Sequence, residues 1–189
     1  MISDEVLMQQ FQRGSIAAFE ELFARYREPL FGFFRRRLNG CERAEDLAQE
    51  TFLAVIRATS RYEPRALVRT YLYGIALNLL AAERRKQSRN LPVESEAEPA
   101  LDAALEEVIW VRQALQKLDP QEREIIMLRE YEQLSYAEIA DLLQLPLNTV
   151  RSRLFRSRMA LKGHLESESK AGQSAQATQM ANGGEEHGA

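Results

Sequence analysis

The residues best suited to chemistry in this chain are cationic, and the chemistry they suit is the binding of phosphates. Over residues 135–162 the sequence reads SYAEIADLLQLPLNTVRSRLFRSRMALK, two short helical patterns broken at Gln144-Leu145-Pro146. The second pattern carries Arg151, Arg153, Arg156, Arg158 and Lys162 with no acid among them. That is the layout of a helix-turn-helix whose second helix faces DNA phosphates and base edges. Asn148 and Thr149 fall in its first turn, where major-groove readers place their first contacts. Ile139, Ala140, Leu143, Val150 and Leu154 supply the apolar positions that pack the two helices. A solvated basic helix on a small bundle is the plainer reading, and the lack of a compensating acid between 151 and 162 argues against it.

A second cationic block lies upstream. Arg57, Arg61, Arg65, Arg69, Arg84, Arg85, Lys86 and Arg89 are opposed only by Glu63 and Glu83, and Tyr62, Tyr71 and Tyr73 are interleaved among them. Aromatic and cationic side chains together suit unstacked bases better than an intact duplex. A solvated helix with its tyrosines in the core fits the pattern equally well. Between the two blocks, every charge from 94 to 107 is acidic. The net charge of -3 therefore hides two basic surfaces, the arrangement expected of two nucleic-acid contacts on one chain. Catalysis has no support. The two histidines, His164 and His187, stand outside any cluster, Cys41 has no base beside it, and no phosphate-binding glycine loop or HExxH is present. Neither a metal nor a cofactor is expected.

Helices must position these residues, because apolar periodicity is helical throughout and no strand alternation is convincing. Ser3 caps a first helix that ends near Gly14, and Ser15 caps a second with Phe19, Leu22, Phe23, Tyr26 and Leu30 at core spacing. Pro29 is expected to kink or divide that helix. A third helix is predicted over 44–60, with Leu47, Phe52, Val55 and Ile56 inward, and a fourth over 68–86. Residues 90–100, NLPVESEAEPA, read as a flexible acidic linker. Helical spacing returns from Leu101, Asp119-Pro120 opens a further helix, and Ser135 with Glu138 forms a capping box at the helix-turn-helix. Beyond Glu166, Ser, Gln, Ala and Gly cannot bury a core, and a disordered tail is expected. The fold class is all-α: two small helical domains, residues 1–89 and 101–165, joined by a linker over 90–100, with a tail over 166–189.

Of 189 residues 45% are hydrophobic and 28% charged, ordinary values for a soluble protein. No apolar run approaches the roughly 20 residues of a membrane span, and the start lacks a secretory pattern. The single cysteine excludes an internal disulfide; Cys41 reads as a half-buried thiol in a reducing cytoplasm.

Three blocks in order carry a family resemblance: DLAQETFLAVIRA (46–58), RTYLYGIALNLLAAERRK (69–86), and LDPQEREIIMLREYEQLSYAEIADLLQLPLNTVRSRLFRSRMALK (118–162). Together they resemble the extracytoplasmic-function sigma factors of bacterial RNA polymerase, the compact two-domain branch of the sigma-70 family. The resemblance implies a subunit that binds core RNA polymerase and directs initiation by recognising the minus-10 and minus-35 elements and helping to open promoter DNA. It implies polymerase binding by Asp46, Leu47, Gln49, Glu50, Phe52 and Leu53. It places a flipped minus-10 base in the loop of residues 61–67, with Arg61, Tyr62 and Arg65, and the melted strand on Asn78, Arg84, Arg85 and Lys86. Minus-35 reading falls to Asn148, Thr149, Arg151, Ser152, Arg153, Arg156 and Arg158. An anti-sigma factor is the expected controlling partner. Tyr71 stands where the family commonly has Trp, and Gln144 where it often has Gly. A stand-alone helix-turn-helix regulator of duplex operators is the alternative, and it would have no need of residues 46–53.

Overall fold

The computed structural model describes the backbone of residues 2–38, 40–63, 66–89 and 103–182, and the side chains of these except 103–109 and 167–182. Its helices are α1 (Asp4–Gln12), α2 (Ile16–Arg35), α3 (Cys41–Ala58), α4 (Val68–Arg89), α5 (Ala103–Gln116), α6 (Pro120–Glu130), α7 (Tyr136–Leu143) and α8 (Leu147–Asn182), with a 3₁₀ turn at Thr59–Arg61. No strand occurs among the described residues. They fall into two compact units, one made mainly of residues 1–96 and the other mainly of 97–189. The expected linker over 90–100 lies outside the described residues.

In the first unit, Ser3 caps α1 by accepting from the Val6 N–H at 3.3 Å. The helix ends on Gly14 at φ +97°, a conformation that costs glycine little. There the N–H of Ser15 reaches the Gln10 carbonyl at 3.0 Å, and that of Gly14 reaches Phe11 at 2.9 Å. This is the paired bonding of a Schellman stop. Ser15 then caps α2 through the Ala18 N–H. Of the two outcomes expected at Pro29, a kink or a division, the helix is not divided: α2 runs through it from Ile16 to Arg35. A mid-helix proline costs about 3 kcal/mol, but Leu30, Phe33 and Phe34 just beyond it are all fully buried. Burial of such side chains contributes about 1.5–3 kcal/mol each, which outweighs the lost bond.

α2 packs on α1 and α3, and α4 closes the bundle against α1, α2 and α3. The core holds Leu7, Met8, Leu22, Leu47, Phe52, Val55, Leu72 and Leu80, with the Phe33, Phe34 and Tyr73 rings in contact. Two expectations need correction. Ile56 is 45% exposed, because the buried arc of α3 runs through Leu47, Ala48, Thr51, Phe52 and Val55 and leaves Ile56 beyond its edge. Cys41 is exposed at the start of α3, where no neighbouring helix covers it.

The second unit is built on α8, which packs against α5 and α6. Leu115, Leu118, Ile126 and Met127 form its centre, with Val111, Ala160 and Leu161 against them. Asp119 caps α6 through the Gln121 N–H at 2.9 Å, with Pro120 in the first turn. The capping box of α7 is reciprocal: Glu138 accepts from the Ser135 N–H at 2.8 Å, and Ser135 Oγ from the Glu138 N–H at 3.2 Å. α8 continues to Asn182, past Glu166 where the sequence led us to expect a disordered tail. Residues 167–182 lack proline and are mostly good or tolerable helix formers, so extending an existing helix costs little.

Candidate nucleic-acid and partner interfaces

α3 presents two faces of opposite character. Leu47 and Phe52, both expected at a partner surface, are 1% and 4% exposed and belong to the core. Asp46, Gln49 and Leu53 are exposed and Glu50 is half-buried, and helical geometry puts these four on one side. Ile56 joins them there, so two large aliphatic side chains, Leu53 at 47% exposure and Ile56, stand in water amid carboxylates. Beside this face, a cleft of about 430 Å3 between α2 and α3 is lined by Phe23, Phe31, Phe52, Arg27, Glu45 and Gln49, among others.

Arg43 organises the acids of this surface. Its guanidinium donates to Glu83 of α4 at 2.7 Å, to Glu50 at 3.2 Å and to Asp46 at 3.5 Å. Glu83 is 8% exposed, so its charge is largely removed from water and depends on this partner. The hydrogen bond from Arg43 holds the Glu83 carboxyl below its ordinary range, against the opposing effect of burial, and Glu83 raises the Arg43 guanidinium in turn.

Around the 3₁₀ turn and along α4, Arg61, Asn78, Arg84, Arg85 and Lys86 are exposed. Asn78 and Arg85 are seven residues apart, two turns along one face of α4, with Arg84 and Lys86 each about 100° round the helix from Arg85, one on either flank. Arg65 falls outside the described residues. The tyrosines do not stand as free platforms. Tyr62 and Tyr73 are 7% and 3% exposed, and Tyr62 packs on half-buried Tyr71 with ring centres 5.1 Å apart. Burial pushes both the Tyr62 and Tyr71 phenols up. Among the described residues the buried Tyr62 hydroxyl finds no hydrogen-bond partner, and an unsatisfied hydroxyl costs about 1–3 kcal/mol.

The helix-turn-helix has the expected core: Ile139 and Val150 are fully buried, Leu154 and Ala140 nearly so, and Leu143 half-buried. Gln144 takes φ +53°, and the Leu145 N–H closes a bond to the Ala140 carbonyl at 2.9 Å. The turn thus adopts the left-handed conformation for which glycine is suited. Along α8, Asn148, Arg151, Ser152 and Arg156 are exposed and Thr149 half-buried. Arg151 accompanies Asn148 through a 3.4 Å contact to its Oδ1. Two arginines are drawn back toward the unit itself. Arg153 is half-buried and donates to Gln121 Oε1 at 2.8 Å. Arg158 donates to Glu130 Oε1 at 2.6 Å and to the Tyr136 hydroxyl at 3.4 Å, and these bonds raise its guanidinium. The compensating acid missing from residues 151–162 is supplied by α6.

Sequence reasoning passed over Phe155. It is 65% exposed and lies within the face of Asn148, Ser152 and Met159, where an apolar ring is otherwise unfavourable. The spacing 148, 152, 155, 159 was a legible signal. The Arg43–Glu83 link was not, since 40 residues separate its partners.

An all-helical chain with a basic helix-turn-helix in one unit and an exposed basic surface in the other has the makings of a promoter-reading subunit, and comparison with known proteins agrees. Residues 22–90 match the model for sigma-70 region 2, and residues 109–161 that for sigma-70 region 4. The chain is 33% identical to the RNA polymerase sigma-H factor of Pseudomonas aeruginosa, covering 86% of this chain and 94% of that protein. It is 36% identical to the RNA polymerase sigma factor CarQ of Myxococcus xanthus, covering 85% and 98%. Among solved structures, CnrH in complex with the cytosolic domain of CnrY superimposes with a TM-score of 0.70 at 29% identity, covering 87% of this chain and 97% of CnrH. The chain belongs to the sigma-70 family of RNA polymerase sigma factors, in its extracytoplasmic-function branch. It directs RNA polymerase to promoters and is not itself an enzyme. Its place of work is the cytoplasm, where polymerase and chromosome are. No described helix is long and apolar enough to cross a membrane.

Proposed function

We propose that the labour of promoter recognition divides by face as follows. The exposed side of α3, with Asp46, Gln49, Glu50 and Leu53, docks on core polymerase, while Leu47 and Phe52 hold that side in place from beneath. Arg61, Asn78, Arg85 and Lys86 meet the melted minus-10 strand, and the first turns of α8 read the minus-35 duplex. The observation that carries this reading is the pairing of Leu53 and Ile56, 47% and 45% exposed, with a carboxylate surface on a well-packed helix. Exposed aliphatic side chains amid charges are the mark of a docking face. A stand-alone operator binder would leave that face without a purpose.

On α8, Asn148, Arg151, Ser152 and Arg156 address base edges and phosphates, and Phe155 fits a thymine methyl in the major groove. Arg153 and Arg158 reach DNA only by giving up Gln121 and Glu130. Tyr62 is stored on Tyr71, and an aromatic ring released from that stack can receive an unstacked base. Flipping that base out of a duplex costs a few kcal/mol, within reach of one stacking contact plus a pocket. An anti-sigma factor that covers the α2–α3 cleft would block polymerase docking; the similar protein CnrH is known in complex with the cytosolic domain of CnrY.

The test combines the purified chain, core RNA polymerase and a DNA library randomised upstream of the start site. Transcription from defined starts, with two enriched boxes and only when both proteins are present, is the expected result. Tight duplex binding by the chain alone, with no polymerase-dependent transcript, would overturn the reading in favour of an operator-binding regulator.

A further inference from the structure

Nothing in the promoter-reading surfaces accounts for α1, yet α1 touches both ends of the segment that joins the 3₁₀ turn to α4. Gln12, in its last turn, donates from Nε2 to the Tyr62 carbonyl at 3.0 Å. Glu5, in its first turn, accepts from the Val68 N–H at 3.4 Å. Tyr62 immediately follows the 3₁₀ turn, and Val68 is the first residue of α4. Seven residues separate Glu5 from Gln12, two turns on one face of the helix and about 10 Å along its axis. One rigid element therefore fixes where the loop leaves and where it returns.

The contacts are of a kind that the sequence near the loop does not supply. Ala66 and Leu67, which precede α4, have no side-chain acceptor with which to cap its first turn. Glu5 provides that cap from a distant helix, and its negative charge sits where the α4 dipole favours it. At the other end, the buried Tyr62 ring on Tyr71 anchors the side chain while Gln12 holds the backbone. α1 is itself fastened to α2. Asp4 forms a 2.6 Å ion pair with Arg25 and accepts from the Tyr26 hydroxyl, and Arg25 also donates to the Ile2 carbonyl at 2.9 Å. Leu7 and Met8, 3% and 1% exposed, complete the attachment.

We propose that Glu5 and Gln12 are positioning residues for minus-10 recognition, with α1 acting as a splint that sets the two ends of the 61–67 loop. The inference rests on the reading that this loop takes a minus-10 base. Polymerase docking and minus-35 reading do not depend on the splint.

The experiment uses the full chain with core polymerase on the randomised library, and compares wild type with Glu5→Ala, Glu5→Gln and Gln12→Ala. Both alanine variants are expected to lose base preference at the minus-10 box by about five-fold, the size of a lost cap. Preference at the minus-35 box and affinity for core polymerase stay at wild-type values. Glu5→Gln retains most of the preference, because its amide oxygen still accepts from Val68. Gln12 is exposed, so Gln12→Ala decides the matter even if Glu5→Ala fails to fold. Minus-10 preference unchanged in folded alanine variants overturns the proposal, as does an equal loss at both boxes. An Arg61→Ala control separates the two ideas. If Arg61→Ala flattens the minus-10 box and the α1 variants do not, the splint alone is wrong. If even Arg61→Ala leaves the box untouched, the loop reading falls and the splint with it.

Discussion

Glu83 shows how one residue can tie two working surfaces together. Its carboxylate is nearly enclosed, accepts from Arg43 at 2.7 Å and from Gln87 at 3.2 Å, and reaches the acids of α3 through Arg43. The sign of its pH dependence follows from the lowered folded-state value. Unfolded, Glu83 titrates near its ordinary 4.5; folded, it stays ionised to lower pH. Its contribution is therefore complete above about pH 5 and is lost as pH falls through the lowered folded value. Glu83→Gln should cost about 1–3 kcal/mol near neutrality, where it leaves Arg43 short of a charged partner. The melting-temperature gap between wild type and variant, measured from pH 7 downward, should close below pH 4.5. A gap that stays constant with pH would show that the carboxylate's charge is not what matters.

The elements depend on backbone devices that are cheap individually and decisive at a turn. Gln144 sits at φ +53°, and its own Nε2 donates back to the Asp141 carbonyl at 2.6 Å. A β-branched residue there keeps the left-handed backbone cost that Gln144 already carries and loses its side-chain bond, worth about 1 kcal/mol. Gln144→Val should lower the stability of the protein by that amount in denaturant titration. Gln144→Gly should hold wild-type stability, since relief of the backbone and loss of the side-chain bond are each about 1 kcal/mol. Two glycine-like outcomes, with valine as benign as glycine, would mean that the turn is not held left-handed in solution. The same turn fixes the angle between α7 and α8, so a loss in duplex affinity should accompany the valine variant.

For the whole molecule, the proposed division of labour between the two units predicts that polymerase binding and minus-35 reading are separable by mutation. Leu53→Asp replaces an exposed side chain, so stability should be unchanged while core polymerase affinity falls at least about ten-fold, the worth of one docking residue. Arg156→Ala should instead leave polymerase binding intact, weaken promoter binding, and reduce its salt slope by about 1. Arg156 suits this test better than Arg153, which Gln121 holds against the second unit. Parallel titrations of both variants against core polymerase and against promoter DNA would check the division. Loss of both activities in either folded variant would refute it.

Local and repetitive information was written in the chain itself. Ser3, Ser15, Asp119 and the Ser135–Glu138 box act within a few residues, and all cap as their sequence positions require. The helix-turn-helix core and the all-helical class follow from periodicity for the same reason. Position on a helix did not settle burial at its edges: spacing placed Leu47 and Phe52 inward, where they are, but also Ile56, which is surface, because burial depends on where α2 and α4 lie. Arg153 and Arg158 looked like free DNA cations until α6 supplied Gln121 and Glu130. The bond from Gln12 to Tyr62 spans 50 residues and that from Glu5 to Val68 spans 63. Sequence determined which segments are helical and which family motifs they carry, since both are encoded over a turn or two. Tertiary structure decided which side of each helix stays in water and which charges are already spent, since only packing brings distant partners within hydrogen-bond range.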